Sequence, residues 1–429
     1  MNLKIVVVGA GSLSFTSSLF RDFCQFEDLF GSKIVLMDID ESKLPQVLDI
    51  AKRINRVAGA NYIFETTTDR KKALENADFV IISIEKARMS LWRTDFSIPE
   101  KYGVYQPQEE SGGPGGFAHL MRQLPAIMDI CHDMEKMCPD AWIINLSNPM
   151  TQICLAIHRY TNLKFVGLCH GIYEIRKWLA KVLGVDEKSL DLKAAGINHF
   201  TWILNMNLTP KGKAMYPLLR EKLSNFDPAF MPLSRDLFDL YGLFPSPFDS
   251  HIAEFIHLCP KEKWPQYNMK NFDIDDYASW LDREIREVIE ISEDEGKIKK
   301  YLTERSPIIA VDIISAIVHG HNTLCLAVNI PNEGCISNLP EDSVVEIPAI
   351  ASTQGIRGIS MGKLPSSVAS FCQRTLTIDE LAVDAIIEGS YNLALQALVL
   401  DPYVKSIDTA KKILDEFLSV YRDYVPGLK

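Results

Sequence analysis

Four short segments of this 429-residue chain carry residue types that do chemistry. Gly9-Ala10-Gly11-Ser12 follows the apolar run Lys4–Val8 and precedes a helical pattern. Gly9 permits a tight turn, and Gly11 lets a pyrophosphate approach the backbone N–H groups at a helix N-terminus. Ser14 stands where the third glycine of the dinucleotide fingerprint belongs, so the motif is incomplete. Asp38 closes the next apolar run, Lys33–Met37, at a point where a carboxylate binds ribose hydroxyls and favours NAD over NADP. Asn145-Leu146-Ser147-Asn148-Pro149 ends another strand-like run. Asn148 is placed to reach a nicotinamide ribose or a sugar, although Ser147 or Asn148 before Pro149 equally fits a helix cap. Gly167-Leu168-Cys169-His170-Gly171 ends a further run, and Gly196-Ile197-Asn198-His199 follows it. A Cys169 thiolate and a His199 imidazole can hold a divalent ion, with substrate oxygens and water in the other positions. Taken singly, a cysteine reads as a small buried apolar group and a histidine as a satisfied polar one. No HExxH, Ser–His–Asp or P-loop pattern competes.

These residues need strand ends to present them, and the first half of the chain supplies a strand–helix alternation. Strand-like runs at Lys4–Val8, Lys33–Met37, Tyr62–Thr66, Phe79–Ile84, Trp142–Asn145 and Phe165–Leu168 alternate with helical patterns such as Leu44–Val57, His119–Met137 and Thr151–Tyr160. Short uninterrupted apolar runs belong to strands buried on both faces, so the pattern predicts an α/β fold with a Rossmann-like, doubly wound parallel sheet. After about Leu190 the rhythm changes. Phe200–Leu208 and Ser343–Ala351 read as strands, among longer helical patterns at Tyr277–Thr303, Ile308–His319, Ile378–Val399 and Thr409–Tyr424. The charged Tyr277–Thr303 stretch reads as a solvated face. The expected organisation is a cofactor-binding domain over 1–190 and a mixed α+β lobe over 191–429 for substrate, metal and oligomerisation.

Composition narrows the partners. The chain is 47% hydrophobic and 24% charged, which is globular rather than disordered. A net charge of −11 argues against nucleic acid. Nine scattered cysteines form no CxxC pair, so neither a zinc ribbon nor a secreted disulfide framework is indicated. The apolar stretch Ile5–Val8 is too short for a signal sequence, and Asp312 interrupts the best membrane candidate, Ile308–Val318. A cytoplasmic protein without membrane contact is expected.

Together these motifs resemble glycoside hydrolase family 4, whose NAD- and metal-dependent glycosidases share a fold with lactate and malate dehydrogenases. The resemblance runs through Gly9–Ser12, Arg93–Gly103, Gln108–Gly116, Asn148-Pro149, Cys169-His170-Gly171, Asn198-His199, Tyr241-Gly242, His251–Phe255, Asn329–Gly334 and Leu339–Pro348. It implies NAD and Mn²⁺, or another divalent metal, as cofactors. It further implies a small oligosaccharide or glycoside as substrate and a homodimer or homotetramer. In the implied mechanism the sugar is oxidised at C3 at the expense of NAD⁺, which acidifies the proton on C2. The metal stabilises the resulting enolate, the aglycone leaves C1 by elimination, water adds, and C3 is reduced again without net redox change. By resemblance Cys169 and His199 are the metal ligands and Tyr241 is the C2 base. A phenol needs a partner to act as a base near neutrality. His170 and Glu110 are candidates for the acid that protonates the leaving oxygen.

The Cys169-His170-Gly171 sequence is similar to that of the subgroup associated with α-uronides, rather than to the Cys-Asp or Cys-Asn sequences of phospho-sugar members. The expected substrate is therefore an α-linked galacturonide or glucuronide, with an α-glucoside or α-galactoside as the alternative within the family. A uronate carboxylate wants an arginine or lysine. Arg93 is the candidate taken forward, with Arg88, Arg122 and Arg305 also available. A plain hydroxy-acid or sugar dehydrogenase and a non-catalytic NAD sensor are the competing classes, and neither needs Cys169 with His199. His319 and His321 are read as helix-end or interface residues.

Overall fold

The computed structural model describes residues 2–210, 212–271 and 273–429; the side chain of Ser14 lies outside what is described. Six parallel strands form the first part of the sheet: β1 (Lys4–Val8), β2 (Lys33–Met37), β3 (Ile63–Thr67), β4 (Phe79–Ile82), β5 (Trp142–Asn145) and β6 (Lys164–Gly167). Their order, β3-β2-β1-β4-β5-β6, is that of dinucleotide-binding sheets, with the switch point between β1 and β4. The expected doubly wound architecture is present. Residues alternate across the pleat, so Ile5 and Val7 enter the core on one face while Val6 and Val8 enter the core on the other.

The second half does not build a sheet of its own. Strands β7 (Leu190–Ile197), β8 (Phe200–Leu208), β9 (Lys213–Ala214), β10 (Phe244–Ser246), β11 (Thr323–Pro331), β12 (Val344–Ser352) and β13 (Gly355–Gly358) extend the first sheet antiparallel, in the order β6-β11-β12-β7-β8-β10. The joints are narrow: Asn329 of β11 pairs with Gly167 of β6, and Glu346 of β12 pairs with Gly196 of β7. The mixed α+β character expected of this half is thus realised as one continuous sheet with helices packed on it. Strands β7 and β8 meet through a two-residue turn, Asn198-His199, with Ile197 opposite Phe200. A Cβ at Gly196 would lie 2.5 Å from the Phe200 carbonyl oxygen, so this tight hairpin needs glycine there.

Two helical patterns that read as single helices are broken pairs. Ile274–Ser292 is followed by Glu295–Tyr301, where the Asp294 carboxylate accepts from the Lys297 N–H and starts a new helix. Ser366–Glu388 ends at Gly389 with φ +72°, and Ser390 caps Tyr391–Leu400. The apolar Ala310–His319 helix lies in the core, with Val311, Ile313 and Ile314 fully buried. Among the described residues no helix is long and apolar enough to cross a membrane.

Candidate functional site

The C-terminal ends of β1, β2 and β4 form a glycine cradle. Gly9 sits at φ +90°, and a Cβ there would lie 2.1 Å from the Ser83 carbonyl oxygen, so no side chain fits. Asp38 accepts the Gly11 N–H through Oδ2 at 2.7 Å and the Asp40 N–H through Oδ1 at 2.9 Å. The acid of β2 is therefore already turned towards the glycine turn. Ser12 precedes the Leu13–Phe23 helix, whose N-terminus faces the same space. Across the switch point, the Ser147 hydroxyl accepts from Ile84 N and donates to Ile84 O, tying β5's end to β4's. The following helix begins at Met150 with Pro149 in the cap position, so Asn148 is not its cap. Its Oδ1 is buried and has no hydrogen-bond partner among the described residues, which leaves an amide oxygen for a polar ligand.

Beyond the cradle, ligand atoms of Glu110, His199 and His251 lie within 4.8 Å of one another and form the candidate metal group among the described residues. His199 is held at φ +60° in the β7–β8 turn, a position that projects its ring off the sheet end, and its Nδ1 lies 3.3 Å from the Ser111 hydroxyl. The His251 ring stands 4.1 Å from the His199 ring, centre to centre. Glu254, one turn after His251, is buried and accepts through Oε2 the N–H groups of Glu110, Ser111 and Gly112 at 2.9, 2.6 and 2.8 Å. This three-amide nest fixes the loop that carries Glu110. Glu254 Oε1 lies 3.2 Å from His251 Nδ1, so one carboxylate orients both loop and ring.

Arg88 supplies the positive charge of the cluster. Its guanidinium bonds Glu110 at 2.9 Å and Glu85 at 3.1 Å and stacks 3.6 Å from the centre of the Trp92 ring. Burial by itself would raise the Glu110 pKa, but Arg88, His251 and His199 outweigh it and hold the carboxyl well below the usual range. Glu110 is thus a standing anion. Burial, with His251 adding to it, pushes His199 well below its ordinary pKa, which leaves a neutral ring fit for coordination. Burial also works to lower His251, but the Glu254 hydrogen bond and the Glu110 charge prevail and raise it.

Of the residues singled out from sequence, Cys169 lies at the end of β6 and Asn198 hydrogen-bonds its thiol, so it borders the turn that carries His199. Burial first, then Glu346, pushes this thiol up to about 12. The Gly171 N–H points at its Sγ at 3.4 Å, and a Cβ on Gly171 would meet Pro247 at 2.9 Å. His170 is exposed at the start of the Gly171–Leu183 helix, within electrostatic reach of His251 and Glu110. Tyr241 ends the Pro232–Tyr241 helix, partly buried, with its ring edge-on to Trp202 and Phe371 at 5.7 and 6.0 Å. Arg93 is not brought to the cluster: it is exposed and pairs with Asp275 at 3.0 Å. Arg122 is buried against Asp95, and Arg305 pairs with Asp312 at the surface, so Arg88 is the one of the four that touches the cluster. His319 and His321 lie 3.9 and 3.7 Å from Asp28, away from the site.

The sequence reading missed His251 and Glu254 as a unit. Both lie in the His251–Phe255 segment one helical turn apart, a spacing that sets two polar groups on one face. It also missed Glu346, whose buried carboxylate gathers the Asn198 and Asn329 side-chain amides and the Thr201 hydroxyl at 2.7, 3.1 and 2.6 Å. That residue locks the Asn198-His199 turn to β12 and β11.

Comparison with known proteins gives a consistent picture. Residues 4–185 match the family model described as Family 4 glycosyl hydrolase, and residues 194–404 match that of its C-terminal domain. An alpha-glucosidase of Erwinia rhapontici is 33% identical over 470 positions, covering 100% of both chains. An alpha-galacturonidase of Thermoanaerobacterium saccharolyticum is 28% identical, covering 100% of this chain and 97% of that one. Among solved structures, a 6-phospho-beta glucosidase from Thermotoga maritima, described with manganese, NAD+ and glucose-6-phosphate, superposes with a TM-score of 0.84. It is 25% identical, covering 99% of each chain.

Proposed function

Because the chain belongs to family 4 of the glycosyl hydrolases, we propose that it is an NAD- and divalent-metal-dependent α-glycosidase that cleaves α-linked hexuronides. The observation that carries the reading is the buried anion and imidazole cluster of Glu110, His199 and His251, with Cys169 within electrostatic reach of Glu110, in a chain whose β1 and β2 ends form a glycine cradle. The cradle fits a dinucleotide, since Gly9 and Gly11 leave no room for a Cβ and Asp38 waits at the ribose position. A carboxylate, imidazoles and a thiol fit a first-row divalent cation. Bound there, the dinucleotide supplies a reversible two-electron oxidation at C3 of the sugar, and the cation supplies Lewis acidity at the neighbouring oxygens.

The chain's own residues do the rest. Cys169 and His199 would hold the cation, and Glu110, kept anionic by Arg88, would join them as a ligand. The charge of Arg88 beside it favours the carboxylate form of Glu110, which suits ligation better than the proton-donor role also open to it. Asn148 orients the sugar through its unpartnered amide oxygen. Tyr241 takes the C2 proton, with its ring held by Trp202 and Phe371. His170, in contact with solvent at the helix start, protonates the leaving oxygen and recovers its proton from water. The hexuronide reading rests on Gly171 after Cys169-His170, a position where a Cβ would lie 3.6 Å from Cys169 Sγ. Arg88, the one of the four arginines in contact with the cluster, is the candidate partner of a uronate carboxylate. The identity with the alpha-glucosidase favours a neutral α-glucoside as the second reading.

The test is sugar release from 4-nitrophenyl α-glucuronide, digalacturonate, an α-glucoside and an α-galactoside. Each is assayed with and without NAD⁺, Mn²⁺ and a thiol reductant while NADH absorbance is followed. Release from uronides that needs all three additives, without stoichiometric NADH, is expected. Release from neutral glycosides alone removes the hexuronide reading. Steady NADH accumulation without bond cleavage means a dehydrogenase. Tyr241→Phe is expected to abolish C2 proton exchange with solvent while leaving metal content unchanged.

A further inference from the structure

The Ile274–Ser292 helix, charged enough in sequence to read as a solvated face, carries a stripe of a different character. Tyr277, Trp280 and Arg283 recur every third residue and face a groove of about 750 Å³. That size is within the range of small-molecule clefts. Gln108 and Ser250 line the groove too, and these residues lie next to Glu110 and His251 of the cation cluster. A chain of contacts makes the groove continuous with the site. Arg88 bonds Glu110 at 2.9 Å, its guanidinium lies 4.9 Å from the Tyr277 ring centre, and Tyr277 lies 5.6 Å from the Trp280 ring at an interplanar angle of 34°. Trp280 is 42% exposed, so the indole is held in place by Tyr277 yet keeps a face to solvent. Arg283 is exposed and makes no ion pair among the described residues, so its donors are open to a ligand.

An exposed aromatic face next to unpaired polar donors is what a pyranose ring needs: its C–H faces pack on the indole while its hydroxyls take hydrogen bonds at the rim. We propose that this groove is the leaving-group subsite, in which the sugar on the aglycone side of the scissile bond stacks on Trp280 and is hydrogen-bonded by Arg283. The proposal deepens the glycosidase reading and rests on it, since the cluster at the groove's inner end must hold the glycone. It assigns the enzyme to oligosaccharides or disaccharides rather than to glycosides of small alcohols.

The test compares wild type and Trp280→Ala, each loaded with NAD⁺ and Mn²⁺, on the methyl α-glycoside, the α-linked disaccharide and the trisaccharide of whichever sugar the wild type cleaves. The expected result is a KM raised about tenfold on the disaccharide and trisaccharide, with kcat within about twofold and the methyl glycoside unaffected. Arg283→Ala should move the same substrates in the same direction, by about threefold. Equal effects on the methyl glycoside, or no effect on any substrate, overturn the subsite. So does a smaller particle by light scattering with uniform loss of activity, which would make the face a subunit interface. If the wild type cleaves no sugar, the glycosidase reading falls and the α-linked galacturonide series is used in its place. Calorimetric titration of the trisaccharide into wild type and Trp280→Ala then decides the groove by itself, equal binding overturning it.

Discussion

At the scale of single residues, one absent methyl group sets the geometry of the cofactor cradle. A Cβ on Gly11 would lie 2.7 Å from Asp38 Oδ2, so Gly11→Ala must turn the acid away from the backbone N–H it now accepts. The expected outcome is an affinity for NADH about tenfold weaker by fluorescence titration, with a melting temperature close to wild type because the added Cβ meets only the movable ends of the Asp38 and Lys43 side chains. This cradle was legible in the sequence, because turn, helix start and acid interact over short distances along neighbouring strands. Glu110 was not, because its character is set by partners far away in the chain: Arg88 on one side, His199 and His251 on the other. A carboxyl in a glycine-rich loop reads as solvated until the loop is seen folded over Glu254. Arg93 and Arg88 illustrate the same limit. They lie on one helix little more than a turn apart, and only the packing of Trp92 and Tyr277 decides that Arg88 faces inward while Arg93 faces Asp275.

At the scale of elements, the β7–β8 turn depends on a carboxylate from β12, far along the chain but the neighbour of β7 in the sheet. Glu346→Ala would leave the Asn198 and Asn329 amides and the Thr201 hydroxyl without their buried acceptor. A loss of roughly 2–4 kcal/mol in urea unfolding is expected, together with weakened Mn²⁺ binding because His199 is no longer fixed. Glu346→Gln should retain most of both, since its amide oxygen can face the two asparagines while its N–H₂ donates to Thr201. The strands of the first half were legible because runs buried on both faces are unbroken. Strands β7 and β11 were not, because each carries polar positions whose partners lie on other strands: Lys193 opposite Asn205 of β8 at a bulge, and Asn329 opposite Gly167 of β6. Helix breaks at Asp294 and Gly389 were hidden for a related reason, since the apolar spacing continues across both and only the caps mark the stop.

At the scale of the whole molecule, two acids deep in the protein set how stability follows pH. Asp379 and Asp401 are each pushed up to about 7, Asp379 by burial against a single Gln152 hydrogen bond and Asp401 by burial against the Tyr403 N–H and Arg374. A folded-state pKa above the unfolded value means that the native protein keeps protons the unfolded chain has lost, so stability falls as pH rises from about 4 to about 7. Asp379→Asn retains the acceptor that Gln152 Nε2 reaches at 2.7 Å and has no charge to bury. It is expected to melt above wild type at pH 8, by on the order of 1–2 kcal/mol, and to match it more closely at pH 5. A fall between pH 4 and pH 7 steeper in the variant than in wild type would contradict that sign. The single sheet has a different consequence, for anyone who would dissect or recombine this protein. The seam between the two halves runs through Asn329 and Gly167, inside the hydrogen-bonded ladder, although the family match divides the chain between residues 185 and 194. A fragment cut at that division would carry β6 as a raw edge, with its amides and carbonyls bared to any passing strand. Chimeras with relatives should therefore exchange β6 and β11 together, as one graft.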